Sequence, residues 1–329
     1  FLVHREQIAK QALKSFRRVL GDQYNSYGLL SGNSANYEAQ CLFSTMQTMA
    51  KSDVHHSFSA DAFDFIIIDE VHRAGAPSYQ TIMNYFRPAF WLGMTASPER
   101  TDDFNIFSLF DHNIAYEIRL QTALGQNLLC PFHYFGITDL AVDQKHLSDL
   151  SNFQFLTSDE RVKHILERAE YFGYSGSRVK GLIFCSSLDE CEDLSKKFNA
   201  KGYQTLALSG DNTQDDRGKA IERLTQERRD SSALDYILTV DIFNEGVDIP
   251  EINQVLLLRP TQSPIIFLQQ LGRGLRKADG KDYVIVLDFI ANYKENYLIP
   301  VALSGDRSYD KDTLRRFVAV EHRLIPGSS

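Results

Sequence analysis

Residues 63–68 read Phe-Asp-Phe-Ile-Ile-Ile and then break into Asp69-Glu70-Val71-His72. An apolar run that ends without polar alternation fits a strand buried on both faces, and such strands belong inside parallel sheets covered by helices. Parallel neighbours need crossover connections of about a dozen residues or more, usually helical, so the chain has to alternate strands with helices. The same feature sets two acids at the carboxyl end of a buried strand, where open α/β sheets carry their ligand chemistry. Taken alone, an Asp-Glu pair there is most often just the polar start of a loop.

The rest of the sequence keeps that alternation. Ile8, Ala9, Leu13, Phe16 and Leu20 recur at helical spacing between Arg5 and Leu20, with Gly21 as a stop, so the chain opens at the end of a strand and enters a helix. Strand-like runs follow at 40–44, 63–68 and 90–93. Residues 1–120 therefore read as one α/β domain. Residues 121–156 show no clear period, carry Gly125, Pro131 and Gly136, and read as an interdomain connection.

A second α/β domain spans 157–290. Thr157 and Glu160 fit the S/T-x-x-E capping signature, ahead of the stripe Val162, Ile165, Leu166, Ala169 and Phe172. Ser187 and Glu190 make another such box, before Cys191, Leu194 and Phe198. Strands are expected at 181–185, 205–208, 236–240, 255–258 and 283–287. Residues 291–329 read as a carboxyl-terminal extension, with Arg315, Arg316 and Arg323 on a solvated helix.

With 329 residues, 43% hydrophobic and 24% charged, the chain has material for two ordinary domains. Its apolar runs are far shorter than the ~20 residues that cross a bilayer, and Phe1-Leu2-Val3-His4-Arg5 lacks a signal-peptide layout, so a cytoplasmic protein with no membrane partner is expected. The four cysteines are scattered without a C-x-x-C pair and read as reduced core thiols. A net charge of −8 excludes a surface that is basic throughout, but a narrow basic cleft between acidic lobes remains compatible.

Three further segments keep company with the acid pair. Phe90-Trp91-Leu92-Gly93-Met94 runs into Thr95-Ala96-Ser97-Pro98, residues 239–250 read TVDIFNEGVDIP, and residues 269–276 read QQLGRGLR. With this set and order the chain resembles the superfamily 2 helicases and translocases of the DExD/H-box type, nearest to their bacterial restriction- and repair-like branch. The resemblance implies an α/β fold of two RecA-like domains, each a parallel sheet flanked by helices, that close on ATP with Mg²⁺. By it, Asp69 holds the metal, Glu70 is the general base for the attacking water, and His72 couples the site to the second domain.

It further implies that Arg273 and Arg276 are arginine fingers, that Gln269 belongs to the same motif, and that Gly246 and Asp248 contact nucleotide. Thr95 and Ser97 would link hydrolysis to domain movement. His4, Arg5, Thr45, Gln47, Thr48, Ser186, Ser187 and Thr239 would meet a nucleic-acid backbone, DNA rather than RNA, without reading sequence.

The chain departs from the family at one point: it contains no G-x-x-x-x-G-K-[ST], its Gly-Lys pairs being Gly218-Lys219, followed by Ala, and Gly280-Lys281, followed by Asp. Loop amides, a lysine and a hydroxyl for the triphosphate are thus missing. The expectation is a piece of a larger motor, with its first domain incomplete at the amino end and poor activity of its own. The alternative is a non-catalytic helicase-like scaffold for nucleic acid or protein. A sugar- or nucleotide-modifying enzyme would need a separate nucleophile or a dinucleotide glycine fingerprint, and neither is visible.

Overall fold

The computed structural model describes residues 1–21, 26–31, 34–35, 37–95, 105–138, 156–240, 249–259, 272 and 274–290. The chain divides into two compact units, Phe1–Glu117 and Ile118–Ser329. Among the described residues no helix is long and apolar enough to cross a membrane.

The first unit is a six-stranded sheet in the order β3-β2-β4-β1-β5-β6, built from β1 (Leu2–Val3), β2 (Tyr27–Ser31), β3 (Ser34–Ala35), β4 (Cys41–Thr45), β5 (Phe65–Ile68) and β6 (Phe90–Gly93). All neighbours are parallel except β2 and β3. Helix α1 (Glu6–Leu20) ends where Gly21 takes φ 65°, a turn that costs a residue without Cβ little. Its apolar side packs Ala9 with Val3 and Phe43, and the rings of Phe1, Phe16 and Phe43 meet at centroid distances of 5.3, 5.5 and 5.7 Å. The opposite sheet face buries Leu2, Leu30, Ile66 and Ile68 against α2 (Met46–Met49), α3 (Ser52–His55) and α4 (Pro77–Tyr85).

The second unit holds an all-parallel sheet in the order β7-β12-β11-β8-β10-β9. Its strands are β7 (Phe132–Thr138), β8 (Gly181–Phe184), β9 (Thr205–Leu208), β10 (Tyr236–Thr239), β11 (Gln254–Leu257) and β12 (Val284–Ile290). Every residue of β8, β10 and β11 is buried, as expected of central strands covered on both faces. The two-residue period divides them: Leu182 and Phe184 join one core with Ile237 and Val255, while Ile183 and Cys185 join another with Leu238 and Leu256. Among the described residues its helices are α5 (Leu120–Gly125), α6 (Asp159–Phe172), α7 (Leu188–Ala200) and α8 (Gln214–Thr225).

Residues 121–156, expected to be only a connection, contribute β7, which pairs with β12 from Phe132↔Val284 to Thr138↔Ile290. As an edge strand it is only partly buried, so it lacks the continuous apolar run that marks the central strands. The unit boundary correspondingly falls at Glu117 and Ile118, and residues 139–155 lie outside the described set. Helix α6 is capped one residue later than expected: Ser158, not Thr157, accepts the Arg161 amide.

Two buried charges organise the second unit. The Arg178 guanidinium donates to the carbonyls of Arg223, Leu224 and Gln226 at the end of α8 and to those of Val179 and Leu234. Asp288, 4% exposed, accepts one hydrogen bond from the Tyr134 hydroxyl at 2.7 Å, and burial pushes its carboxyl up from 3.8 to about 6. The folded state therefore keeps this proton to higher pH than the unfolded chain, so stability falls as pH rises from about 4 to 6 and the full cost stands above that window. Asp288→Asn should raise the unfolding free energy by about 1–3 kcal/mol at pH 7.5, with the gain shrinking toward pH 4, as read from denaturant midpoints across pH.

Candidate functional site

In the first unit the described candidate residues gather at the carboxyl ends of β4, β1, β5 and β6. Parallel pairing sets Val3 beside Thr45, Leu2 beside Ile68 and Ile68 beside Gly93, so the residues that follow emerge on one edge of the sheet. The Asp69 amide donates to Leu2 O at 2.9 Å and continues the β1 ladder past β5. Next, Glu70 turns into the left-handed region, φ 52° and ψ 44°, a conformation that costs a residue with a side chain about 1–2 kcal/mol. The turn is held from outside: Met94 N donates to Ile68 O at 2.8 Å and Val71 N to Met94 O at 3.0 Å.

That turn brings three side chains together. Glu70 Oε2 lies 3.2 Å from His72 Nδ1, and the same nitrogen is 3.1 Å from Thr95 Oγ1, which links the acid turn to the end of β6. His72 and Glu70 are 17% and 20% exposed, so both are sheltered but open to a small ligand. Asp69 Oδ1 accepts the Glu70 amide at 2.9 Å, which leaves its other oxygen for a ligand. Burial, and then the neighbouring Glu70 charge, raise the Asp69 carboxyl above its ordinary value, while the Glu70 amide, His4 and His72 pull it back.

His4 stands at the same edge with its ring nitrogens buried. Arg5, at the same edge, precedes α1. Thr45 caps α2, accepting the Thr48 amide at 3.2 Å and bonding the Thr48 hydroxyl at 2.9 Å, while Gln47 is exposed. Ser97 lies outside the described residues.

In the second unit, β8 and β10 lie side by side with Phe184 beside Thr239, and Ser186, Ser187 and Thr239 stand at their carboxyl ends. Among the described residues the buried hydroxyls of Ser186 and Thr239 have no hydrogen-bond partner. Ser187 caps α7 by accepting the Glu190 amide at 3.2 Å. The return arm of the expected capping box goes elsewhere, because Glu190 Oε2 accepts from Ser186 N at 2.7 Å. Its other oxygen pairs with the fully buried Arg161 at 3.1 Å, and Arg161 in turn donates to Leu156 O and Leu258 O. Burial nevertheless raises the Glu190 carboxyl, with Arg161 opposing the shift. The turn that carries Ser186 and Ser187 is thus clamped by a buried ion pair that spacing along the sequence did not reveal. Arg276 is exposed beyond β11, whereas Gln269, Arg273, Gly246 and Asp248 lie outside the described residues.

Two family models match the chain: the res subunit of type III restriction enzymes over residues 1–100 and the helicase conserved C-terminal domain over residues 160–278. A Saccharomyces cerevisiae protein named as an ATP-dependent helicase, IRC3, is 24% identical over 98% of this chain and 48% of its own length. A fragment described as an HsdR subunit of a type I restriction enzyme from Vibrio vulnificus shares the fold, with a TM-score of 0.68 and 22% identity over 91% of this chain and 54% of that one. Dbp5 of S. cerevisiae, solved with RNA and ADP BeF3, gives a TM-score of 0.64 at 13% identity, over 98% of this chain and 80% of that one. The chain spans about half the length of the curated relatives it matches. With an acid turn at the edge of one RecA-like sheet and a helicase C-terminal match on the other, the chain is a superfamily 2 protein of the helicase and restriction-enzyme type.

Proposed function

We propose that this chain is the motor core of an ATP-dependent helicase or translocase that acts on nucleic acid, DNA in preference to RNA. The observation that carries the reading is the left-handed turn at Glu70, which sets a carboxylate against His72 and Thr95 at the carboxyl end of a parallel strand. In this reading Asp69 holds Mg²⁺ through the oxygen that the Glu70 amide leaves open. Among the described residues no group of three or more His, Cys, Asp or Glu could cage a metal, which suits a cation that arrives with nucleotide phosphates and keeps its waters. When bound, Mg²⁺ neutralises charge on the phosphate oxygens.

Glu70 takes the proton of the attacking water, at an oxygen that the His72 contact keeps oriented. His72 and Thr95 carry the state of that carboxylate to the end of β6, and Ser97 is assigned to the same coupling. Arg273 and Arg276, with Gln269, Gly246 and Asp248, are assigned to nucleotide contacts, since a guanidinium fork suits charge building on a transferring phosphoryl group. Arg5, Thr45, Gln47, Thr48, Ser186, Ser187 and Thr239 offer hydroxyls and amides to phosphate oxygens, which position a backbone but do not read bases. Such contacts support tracking without sequence preference. DNA is favoured because the first unit matches a restriction-enzyme subunit.

The reading is tested in the longest reading frame that contains this chain, by ATP hydrolysis with and without duplex DNA, single-stranded DNA and RNA. Glu70→Gln should lower stimulated turnover about 10²–10⁴-fold and leave nucleotide affinity within a fewfold; an unaltered rate removes Glu70 from its role. A wild-type protein that binds nucleic acid but never turns over ATP would establish the scaffold alternative. Glu70→Gly separates strain from chemistry. It should raise the unfolding free energy by up to about 1 kcal/mol by relieving the left-handed backbone while abolishing hydrolysis, so calorimetry and activity should move in opposite directions.

A further inference from the structure

Helix α1 presents a face that the proposed chemistry does not use. Ile8, Ala9, Leu13 and Phe16 pack on the sheet, which turns Lys10, Lys14, Arg17 and Arg18 outward, and all four are exposed. Residues 5–18 hold five basic side chains and one acid, Glu6, whereas the rest of the unit to Glu117 holds four basic and twelve acidic ones. Positive charge in an otherwise acidic unit is therefore concentrated on one helix.

The spacing of these charges works against the helix. Lys10 and Lys14, and Lys14 and Arg18, are like-charge pairs four residues apart, which destabilise a helix, where a merely solvated face would interleave signs. Lys10 is partly offset by Glu6 at 2.5 Å, and Arg17 sits 5.9 Å from the centre of the Tyr27 ring. No described acid pairs with Lys14 or Arg18. Since β1 and β2 both run parallel to β4, α1 leads from the carboxyl edge, where Arg5 and Thr45 stand, down the flank to the amino end of β2. A strand laid along the carboxyl edge meets α1 only at its first turn, so the rest of the stripe is left to a second backbone. The stripe is about 12 Å long, a length over which duplex DNA presents roughly seven phosphates.

We propose that the outward face of α1 docks the phosphate backbone of duplex nucleic acid, a contact additional to the residues at the strand ends. The proposal rests on the nucleic-acid reading above for the identity of the polyanion. Lys14→Glu tests it, because this change replaces two like-charge pairs with two opposite ones and so removes the contact without unfolding the helix. The probes are a labelled duplex of about 30 base pairs and a single strand of equal length, titrated between about 50 and 200 mM salt, the range in which backbone contacts are lost.

Lys14→Glu should melt at an equal or higher temperature, bind the duplex about tenfold more weakly, and lose about two from the slope of log affinity against log salt, with single-strand affinity changed less than twofold. An unaltered duplex slope, or an equal loss on both probes, overturns the proposal while wild-type binding leaves the nucleic-acid reading standing. A wild type that binds neither probe overturns both. A poly-glutamate peptide that outcompetes the duplex on wild type, and is lost in Lys14→Glu, assigns the surface to an acidic protein and overturns it as well.

Discussion

The two acids follow directly on the last residue of a parallel strand, and the main-chain ladders of this protein decide how the chain turns there. The bond from Asp69 N to Leu2 O carries the β1 pairing past the last residue of β5, and the bonds exchanged by Ile68, Val71 and Met94 bind the turn to β6. Those bonds, with the Glu70 amide on Asp69 Oδ1 and the Arg73 amide on the Glu70 carbonyl, hold Glu70 in a conformation that L-residues avoid. The acid turn is therefore a product of the sheet, and its precision is inherited from strands whose side chains take no part in chemistry.

The second unit shows the same logic with a different clamp. There the turn after β8 is held by a carboxylate that is itself buried, paired with a buried guanidinium, and bonded to the Ser186 amide. Removing one partner of such a pair costs far more than the pair contributes, because the remaining charge is left unpaired in a dry interior. The turn thus has one well-defined shape. Beside it, among the described residues, the buried hydroxyls of Ser186 and Thr239 have no hydrogen-bond partner.

Legibility followed burial. Gly181–Phe184 was plain in the sequence because a strand buried on both faces is apolar throughout, and α1 was plain because its stripe and its glycine stop agree; Phe65–Ile68 carries the same apolar run yet is only partly buried, with Phe65 68% exposed. Strand β2 escaped, with Gly28 breaking its short apolar run, and β7 escaped because an edge strand is only half covered. Helix α8 escaped as well: its first turn is polar, and its capping box uses Asp216 where the expected signature has Glu or Gln. At the site, the resemblance carried by the motifs named Asp69, Glu70, His72 and Thr95. It could not foresee that His72 would touch both Glu70 and Thr95, or that His4 would turn inward, since those contacts depend on strand register. The Arg161–Glu190 pair, joined across two helices, left no local trace at all.

The guanidinium of Arg178 has a mechanical consequence. Helices ordinarily fray at their carboxyl ends, where the last carbonyls have no partner and the local opening energy is small. Here three of those carbonyls share one permanently charged donor that also grips the segments leading into β8 and β10. A push on α8 is accordingly passed to the sheet with little give at the joint, so this corner of the second unit behaves as a stiff lever arm.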